Sequence, residues 1–206
     1  MLEAFNLACQ RGDRWLFKGL GLALAPGQGL RVAGSNGAGK TSLLRLLAGL
    51  GLPAAGAVHW SGRPIARQRE AFAGALRYLG HLAGLKDELS AEENLAIEAG
   101  LDGAAGACAP AVAQALASWG LARQARLPLR VLSAGQRRRV ALARLQVSSA
   151  PLWILDEPFN ALDDQATQQL AAQLDAHLDH GGLLLLTSHQ DVPMRSAALQ
   201  TLSLSA

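Results

Sequence analysis

Only three lysines, two cysteines and one tyrosine occur in the 206 residues, and aromatic residues make up 4% of them. Cys9 and Cys108 fit neither C-x-x-C nor any Cys/His ligand spacing, so the sequence predicts no structural metal and no disulfide, and points to a reducing compartment. The N-terminus lacks a basic segment followed by an apolar one. The longest strongly apolar run of the second half, Leu183 to Leu186, is far shorter than the roughly 20 residues a bilayer crossing needs. An excess of basic residues is also missing: 19 Lys and Arg against 16 Asp and Glu leave a net charge of +3, mostly as scattered arginines, and no nucleic-acid groove is expected. With 50% hydrophobic and 17% charged residues the composition is that of a globular protein. The length suits one α/β domain carrying a smaller lobe and is too short for two nucleotide domains in tandem. No internal repeat is visible.

One of the scarce lysines lies in Gly34, Ser35, Asn36, Gly37, Ala38, Gly39, Lys40 and Thr41, which fits G-x-x-x-x-G-K-[ST]. In that pattern the glycines let backbone N–H groups curl around phosphate oxygens and the lysine reaches the outer phosphates. Leu30 to Ala33 reads as a short buried strand before the loop, and Thr41 to Ala48, with Ser42 in its first turn, as a helix whose positive end faces the phosphates. An ordinary glycine turn has no need of a strand before and a helix after.

Apolar patterning predicts strands at Leu2 to Ala8 and Trp15 to Leu24, forming a small antiparallel sheet, and a short hairpin from Ala57 to Ile65. Gly49 to Pro53 ends the first helix. From about Arg67 to Val147 the pattern is mainly helical, interrupted by a strand at Leu76 to Leu79. Leu152 to Leu155 and Leu183 to Thr187 are continuously apolar, as in parallel strands covered on both faces. Between them Asp163 or Asp164 caps a helix with Ala166, Leu170, Leu174 and Leu178 on one face, ended by Gly181 and Gly182. His177 and His180, in its last turn, read as surface residues complementing the helix dipole. The expected class is α/β: a phosphate-loop nucleotide-binding core with an N-terminal antiparallel β-sheet and an inserted helical subdomain. The core comprises about 1–80 and 148–206, and the helical part about 81–147, of a single 1–206 domain.

Three predicted parallel strands end in the phosphate loop, in Asp156-Glu157 and in Ser188-His189, and ligands of open α/β sheets bind at that edge. Thr41 and Asp156 are the candidate metal ligands, for a Mg²⁺ accompanying the bound nucleotide. Glu157 is then free to orient or deprotonate a water, with His189 as a second catalytic candidate. Ser133 N-caps a further helix start, Leu132 to Gln136, where Gly135 leaves the backbone open to an anion. A chain that already has one phosphate loop has a use for this second anion site across a dimer.

Taken together, the phosphate loop, the Leu132 to Gln136 signature, the Leu152 to Glu157 strand, the loop Ala161-Leu162-Asp163-Asp164 and His189 resemble the ATP-binding subunits of the ABC transporter superfamily, over nearly the whole length. The resemblance implies an ATP-sandwich dimer with a second copy of the chain, docked on integral membrane transporter subunits. It implies that Ser133, Gly135 and Gln136 contact ATP in trans, that Asp163 couples the two sites, and that Gly34 to Ser42 bind ATP in cis. Where most members carry a glutamine after the strand at Leu76 to Leu79, this chain has Gly80-His81, which makes His81 the equivalent of that loop. Arg11 or Trp15 is left to stack on adenine.

The short length, Gly80-His81 and the runs Leu132 to Leu145 and Leu152 to Phe159 are similar to the branch of the family that exports haem in cytochrome c maturation. That likeness implies indirect work on a haem chaperone, from the cytoplasmic face of a bacterial inner membrane where the subunit is peripheral. Export or import of another small molecule is the alternative within the family. A phosphate-loop kinase would leave the signature and Asp163 idle.

Overall fold

The computed structural model describes residues 1–80, 84–101, 108–189, 192–195 and 199–204. In chain order the elements are β1 (Leu2–Arg11), β2 (Arg14–Leu24), β3 (Gly29–Gly34), α1 (Lys40–Leu47), β4 (Ala55–Trp60), β5 (Arg63–Pro64), α2 (Arg69–Ala75) and β6 (Leu76–Leu79). They continue with α3 (Ala91–Leu101), α4 (Cys108–Ser118), α5 (Ala134–Ala143), β7 (Leu152–Leu155), α6 (Asp164–Asp179), β8 (Leu183–Thr187) and β9 (Leu199–Leu204). Short 3₁₀ turns link several of them. One begins at Ile65, so the hairpin partner of β4 is only two residues long. Contacts divide the chain into a first unit (1–80, 151–158, 171–206) and a second (81–150, 159–170).

The first unit holds two sheets. One is antiparallel in the order β2-β1-β4-β5, with a bulge in β1 around Asn6, which has φ 50°. The other, β6-β7-β8-β3-β9, is parallel throughout. Every residue of β7 and β8 is buried, which is why their sequence shows no alternation. The register aligns the strand ends: Leu79 pairs with Leu155, Leu155 with Leu186, and Val32 with Thr187. The ladder runs one step further, because the Asp156 N–H donates to the Leu79 carbonyl at 2.8 Å. Leu43, Leu44 and Leu47 of α1 join residues of both sheets in one apolar core. That helix ends in a Schellman motif, with Gly49 at φ 71° and its amide on Leu46, and the Leu50 amide on Arg45.

In the second unit, α3 opens with a reciprocal capping box between Ser90 and Glu93. The Ser90 amide and hydroxyl hold the Glu93 carboxyl below its ordinary range. The buried apolar side chains of this unit include Leu95, Leu116, Trp119, Leu121, Leu129 and Val140 to Leu142. An ion pair between Glu98 and Arg144, both largely buried, ties α3 to the residue after α5. Removing one partner of such a pair costs about 3–5 kcal/mol because a charge is left unpaired.

His177 departs from its predicted surface role. Its ring stacks on Trp153 at 3.7 Å between centroids and 7° between planes, and its Nε2 lies 3.2 Å from the Leu183 carbonyl. A Cβ on Gly182 would fall 2.3 Å from that ring, so the glycine after the helix makes room for it. Burial pushes the imidazole's pKa below its ordinary 6.5, and the Leu183 and Pro151 carbonyls only partly offset this. The neutral ring therefore contributes packing rather than charge. His180, by contrast, is exposed and reaches the Ala176 carbonyl at 2.6 Å, as a helix-end residue should.

A histidine with a depressed folded pKa contributes stability that is complete above the unfolded value and is lost as pH falls through 6.5 and below. Thermal unfolding between pH 7.5 and 5.5 is expected to show a declining midpoint, and His177→Phe, which keeps a stacked ring without titrating, a shallower decline. Equal slopes for the two proteins would remove this role.

Candidate active site

β3 leads directly into the phosphate loop and α1 leaves it at Lys40. Gly39 sits at φ 97° and immediately precedes the helix, and a Cβ there would lie 3.0 Å from the Cβ of Leu16. At Gly34 a Cβ would meet the Leu204 carbonyl oxygen at 2.6 Å. The loop is thus backed by β2 on one side and β9 on the other, and both glycines are required by contact as well as by backbone angle. The first turn of α1 holds no acid, and its N-cap supplies no side-chain bond, which suits an anion at the N–H groups. Lys40 is 8% exposed, and its ammonium donates to the carbonyls of Gly34 at 2.8 Å and Ser35 at 3.2 Å. Ser35, Asn36 and Gly37 are exposed, and Ala38 is buried. Thr41 is exposed, whereas Ser42 is half-buried and bonded to the Cys9 thiol, whose pKa burial pushes up against that bond.

Beyond the end of β7 the chain places two acids with different surroundings. Asp156 is buried, and its Oδ1 accepts a hydrogen bond of 2.7 Å from the Thr187 hydroxyl. Glu157 adopts φ 49°, a left-handed conformation rare for a side-chain-bearing residue, and its N–H donates to the same Thr187 oxygen at 2.8 Å. Its carboxylate turns to His189: Glu157 Oε1 lies 3.1 Å from His189 Nε2, which is itself 3.3 Å from Lys40 Nζ. Lysine, histidine and glutamate, from segments far apart in sequence, form one chain of polar contacts at the edge of the parallel sheet. Burial and the Asp156 charge raise the pKa of Tyr78, so that its phenol stays protonated near this edge.

A hard divalent cation such as Mg²⁺ prefers oxygen ligands and keeps several waters. Asp156 and Thr41 supply one carboxylate and one hydroxyl, the hard oxygen donors that suit such an ion. No cluster of three or more His, Cys, Asp or Glu side chains occurs among the described residues, so an all-protein cage is not what this site resembles.

In the second unit, Ser133 accepts from the Gln136 amide at 3.2 Å while the Gln136 side chain accepts from the Ser133 amide at 2.9 Å. Ser133 is exposed, and a Cβ on Gly135 would meet nothing within 4 Å, so this helix start is open. Asp163 accepts from the Ala166 amide at 2.8 Å and caps α6, and its other oxygen is ion-paired with Arg139 of α5. His81 lies outside the described residues. Trp15 is 43% exposed and carries the Lys18 ammonium 4.0 Å over its ring; Arg11 is exposed on the strand paired with it. An apolar cavity of about 460 Å³ lined by Leu46, Leu50, Ile65, Phe72 and Tyr78 contains none of the candidate residues.

The residues that sequence reasoning missed are Thr187, which both acids use, and Leu16 and Arg139. None belongs to a recognisable pattern. Thr187 was legible only as the last residue of an apolar strand.

The family model described as ABC transporter matches residues 17–160. A cytochrome c biogenesis ATP-binding export protein CcmA of Aromatoleum aromaticum is 54% identical, over 94% of this chain and 90% of its own. Its namesake in Nitrosospira multiformis is 47% identical over 99% of this chain and 98% of its own. Among solved structures, an ATP-binding subunit of an ABC transporter superposes with a TM-score of 0.83 at 26% identity, covering 91% of this chain and 79% of that one. A dimeric ATP-binding cassette with ADP and Pi, in a post-hydrolysis state, reaches 0.84 at 19% identity, over 100% and 97%.

Proposed function

Because the chain belongs to the ABC transporter family, as an ATP-hydrolysing subunit, we propose that it powers a membrane complex of cytochrome c biogenesis. It would do so by driving haem export or the release of a haem-loaded chaperone. The observation that carries the catalytic part is the contact chain from Lys40 through His189 to Glu157 at the edge of the parallel sheet. The biological part rests on relatives near half identity over almost the whole length.

Gly34 to Ser42 wrap the phosphates of ATP, and Lys40 exchanges its loop carbonyls for the outer phosphate oxygens. Thr41 and Asp156 hold Mg²⁺, which when bound neutralises charge on the phosphates. Glu157 accepts the proton of the attacking water, and His189 keeps that carboxylate aimed and bonds the terminal phosphate. Ser133, Gly135 and Gln136 of one copy complete the site of the second copy. Both carboxylate oxygens of Asp163 are engaged within its own chain, so coupling between sites runs through its backbone loop and through Arg139 on the signature helix. His81 takes the place of the family's usual glutamine. Arg11 or Trp15 stacks on adenine.

No helix among the described residues is long and apolar enough to cross a membrane. On the likeness to the export-protein relatives, the subunit would sit peripherally on integral membrane partners at the cytoplasmic face of a bacterial inner membrane.

A strain whose only copy carries Lys40→Ala is expected to lack mature c-type cytochromes on haem-stained gels, with haem retained on the chaperone in the membrane complex. Normal maturation, with the variant present at wild-type level, would overturn the cytochrome c assignment and leave the ATPase untouched.

A further inference from the structure

We propose that Thr187 is a positioning residue for hydrolysis, one hydroxyl that sets both the metal-side carboxylate of Asp156 and the backbone of Glu157. The inference rests on the roles given above to those two acids. It starts from hydrogen-bond polarity. The Glu157 backbone N–H can only donate, so at 2.8 Å the Thr187 oxygen accepts from it. The hydroxyl has a single proton, and at 2.7 Å that proton points to Asp156 Oδ1. Both bonds have one possible direction when the carboxylate is ionised, and the pair acts as a fixed relay from the Glu157 amide to the Asp156 side chain.

The surroundings leave the hydroxyl no choice of partner. Thr187 is completely buried at the end of β8, between β7 and β3, and its branched side chain is stiff at χ1. The branch fixes where the γ groups lie, and a hydroxyl there both accepts and donates a strong hydrogen bond.

Two geometric consequences follow. With Oδ1 committed, the carboxylate plane of Asp156 cannot rotate, and Oδ2, which takes no hydrogen bond from any other described residue, is the oxygen left for a cation or its water. The bond to the amide holds Glu157 at φ 49°, the turn that aims its side chain at His189. Removing the hydroxyl frees both acids to drift while the phosphate loop, which Thr187 does not touch by hydrogen bond, keeps its shape. The expected defect is therefore in turnover and in metal dependence, with metal-free nucleotide affinity preserved. Partners that orient a metal-binding carboxylate typically contribute about 10–100-fold in metal affinity or activity.

The test compares Thr187→Val, which keeps the shape and loses the hydroxyl, with Thr187→Ser, which keeps the hydroxyl. ATPase rates give kcat and KM for ATP. Binding of a fluorescent ATP analogue, titrated with Mg²⁺ and without it, gives a readout independent of turnover. The valine variant is expected to lose about 10–100-fold in kcat, with KM changed by less than about 3-fold, and to need about 10-fold more Mg²⁺ for half-maximal metal-linked binding. Its metal-free affinity should match wild type, and serine should recover most of both losses.

If the valine variant fails to fold, Thr187→Cys, which puts a thiol with only a weak donor at the γ position, takes its place and should show the same defects in milder form. Wild-type Mg²⁺ dependence together with wild-type kcat in the valine or cysteine variant would overturn the proposal, as would a folded serine variant as impaired as valine. Failure of the underlying reading shows itself separately, in a Glu157→Gln variant that hydrolyses ATP normally.

Discussion

Replacing Glu157 by glutamine is expected to lower ATP hydrolysis by about 10²–10⁴-fold, the usual contribution of a positioned general base, while ATP binding persists. The amide has nearly the shape of the carboxylate and can still meet His189 Nε2, now 3.1 Å from Oε1. It cannot take a proton from water. Lys40, Thr41 and Asp156 are untouched, so nucleotide is captured and the cycle stops before cleavage. The variant should accumulate as an ATP-containing dimer, visible as a larger species by size-exclusion chromatography with nucleotide and as unhydrolysed ATP in the recovered protein. Turnover near the wild-type rate would show that another group activates the water.

Activity regained from two inactive proteins is the second large effect. Ser133→Arg places a cation and a long side chain at an exposed helix start, and Lys40→Ala removes the charge from the phosphate loop; each homodimer then has two damaged sites. In a mixed dimer one site joins an intact Lys40 to an intact Ser133. Random association makes roughly half of all dimers mixed, so an equimolar mixture should regain on the order of a quarter of wild-type activity if sites act independently. Each protein alone stays near background. A mixture with confirmed subunit exchange and no gain over either parent would place Ser133 outside the partner's nucleotide site.

Much of this protein was readable without coordinates, because several of its constraints are local. A phosphate loop needs glycines and a lysine at fixed spacing, and Gly34 to Thr41 announce that in eight letters. Fully buried parallel strands need unbroken apolar runs, so Leu152 to Leu155 and Leu183 to Thr187 were identifiable by composition. Ser133 discloses itself as a cap, and Asp163 or Asp164 as another, because capping is a matter of residue type and a three-residue reach; that Asp163 is the one used is seen in its bond from the Ala166 amide.

What only the tertiary structure decided is where separate segments meet. The parallel register sets Thr187 beside Val32 and brings it within hydrogen-bond distance of Asp156 and Glu157, and nothing in the residue's own neighbourhood announces a threonine that serves two acids. The same holds for His177, which helix position alone assigns to solvent but which Trp153, from a neighbouring strand, turns into a stacked neutral ring. Arg139 looks like one of three solvated arginines until it is paired with the cap of α6. Local pattern determines which groups a chain has available; a hydrogen bond also depends on distance and direction between strands brought together by burial, and these appear only once the fold has formed.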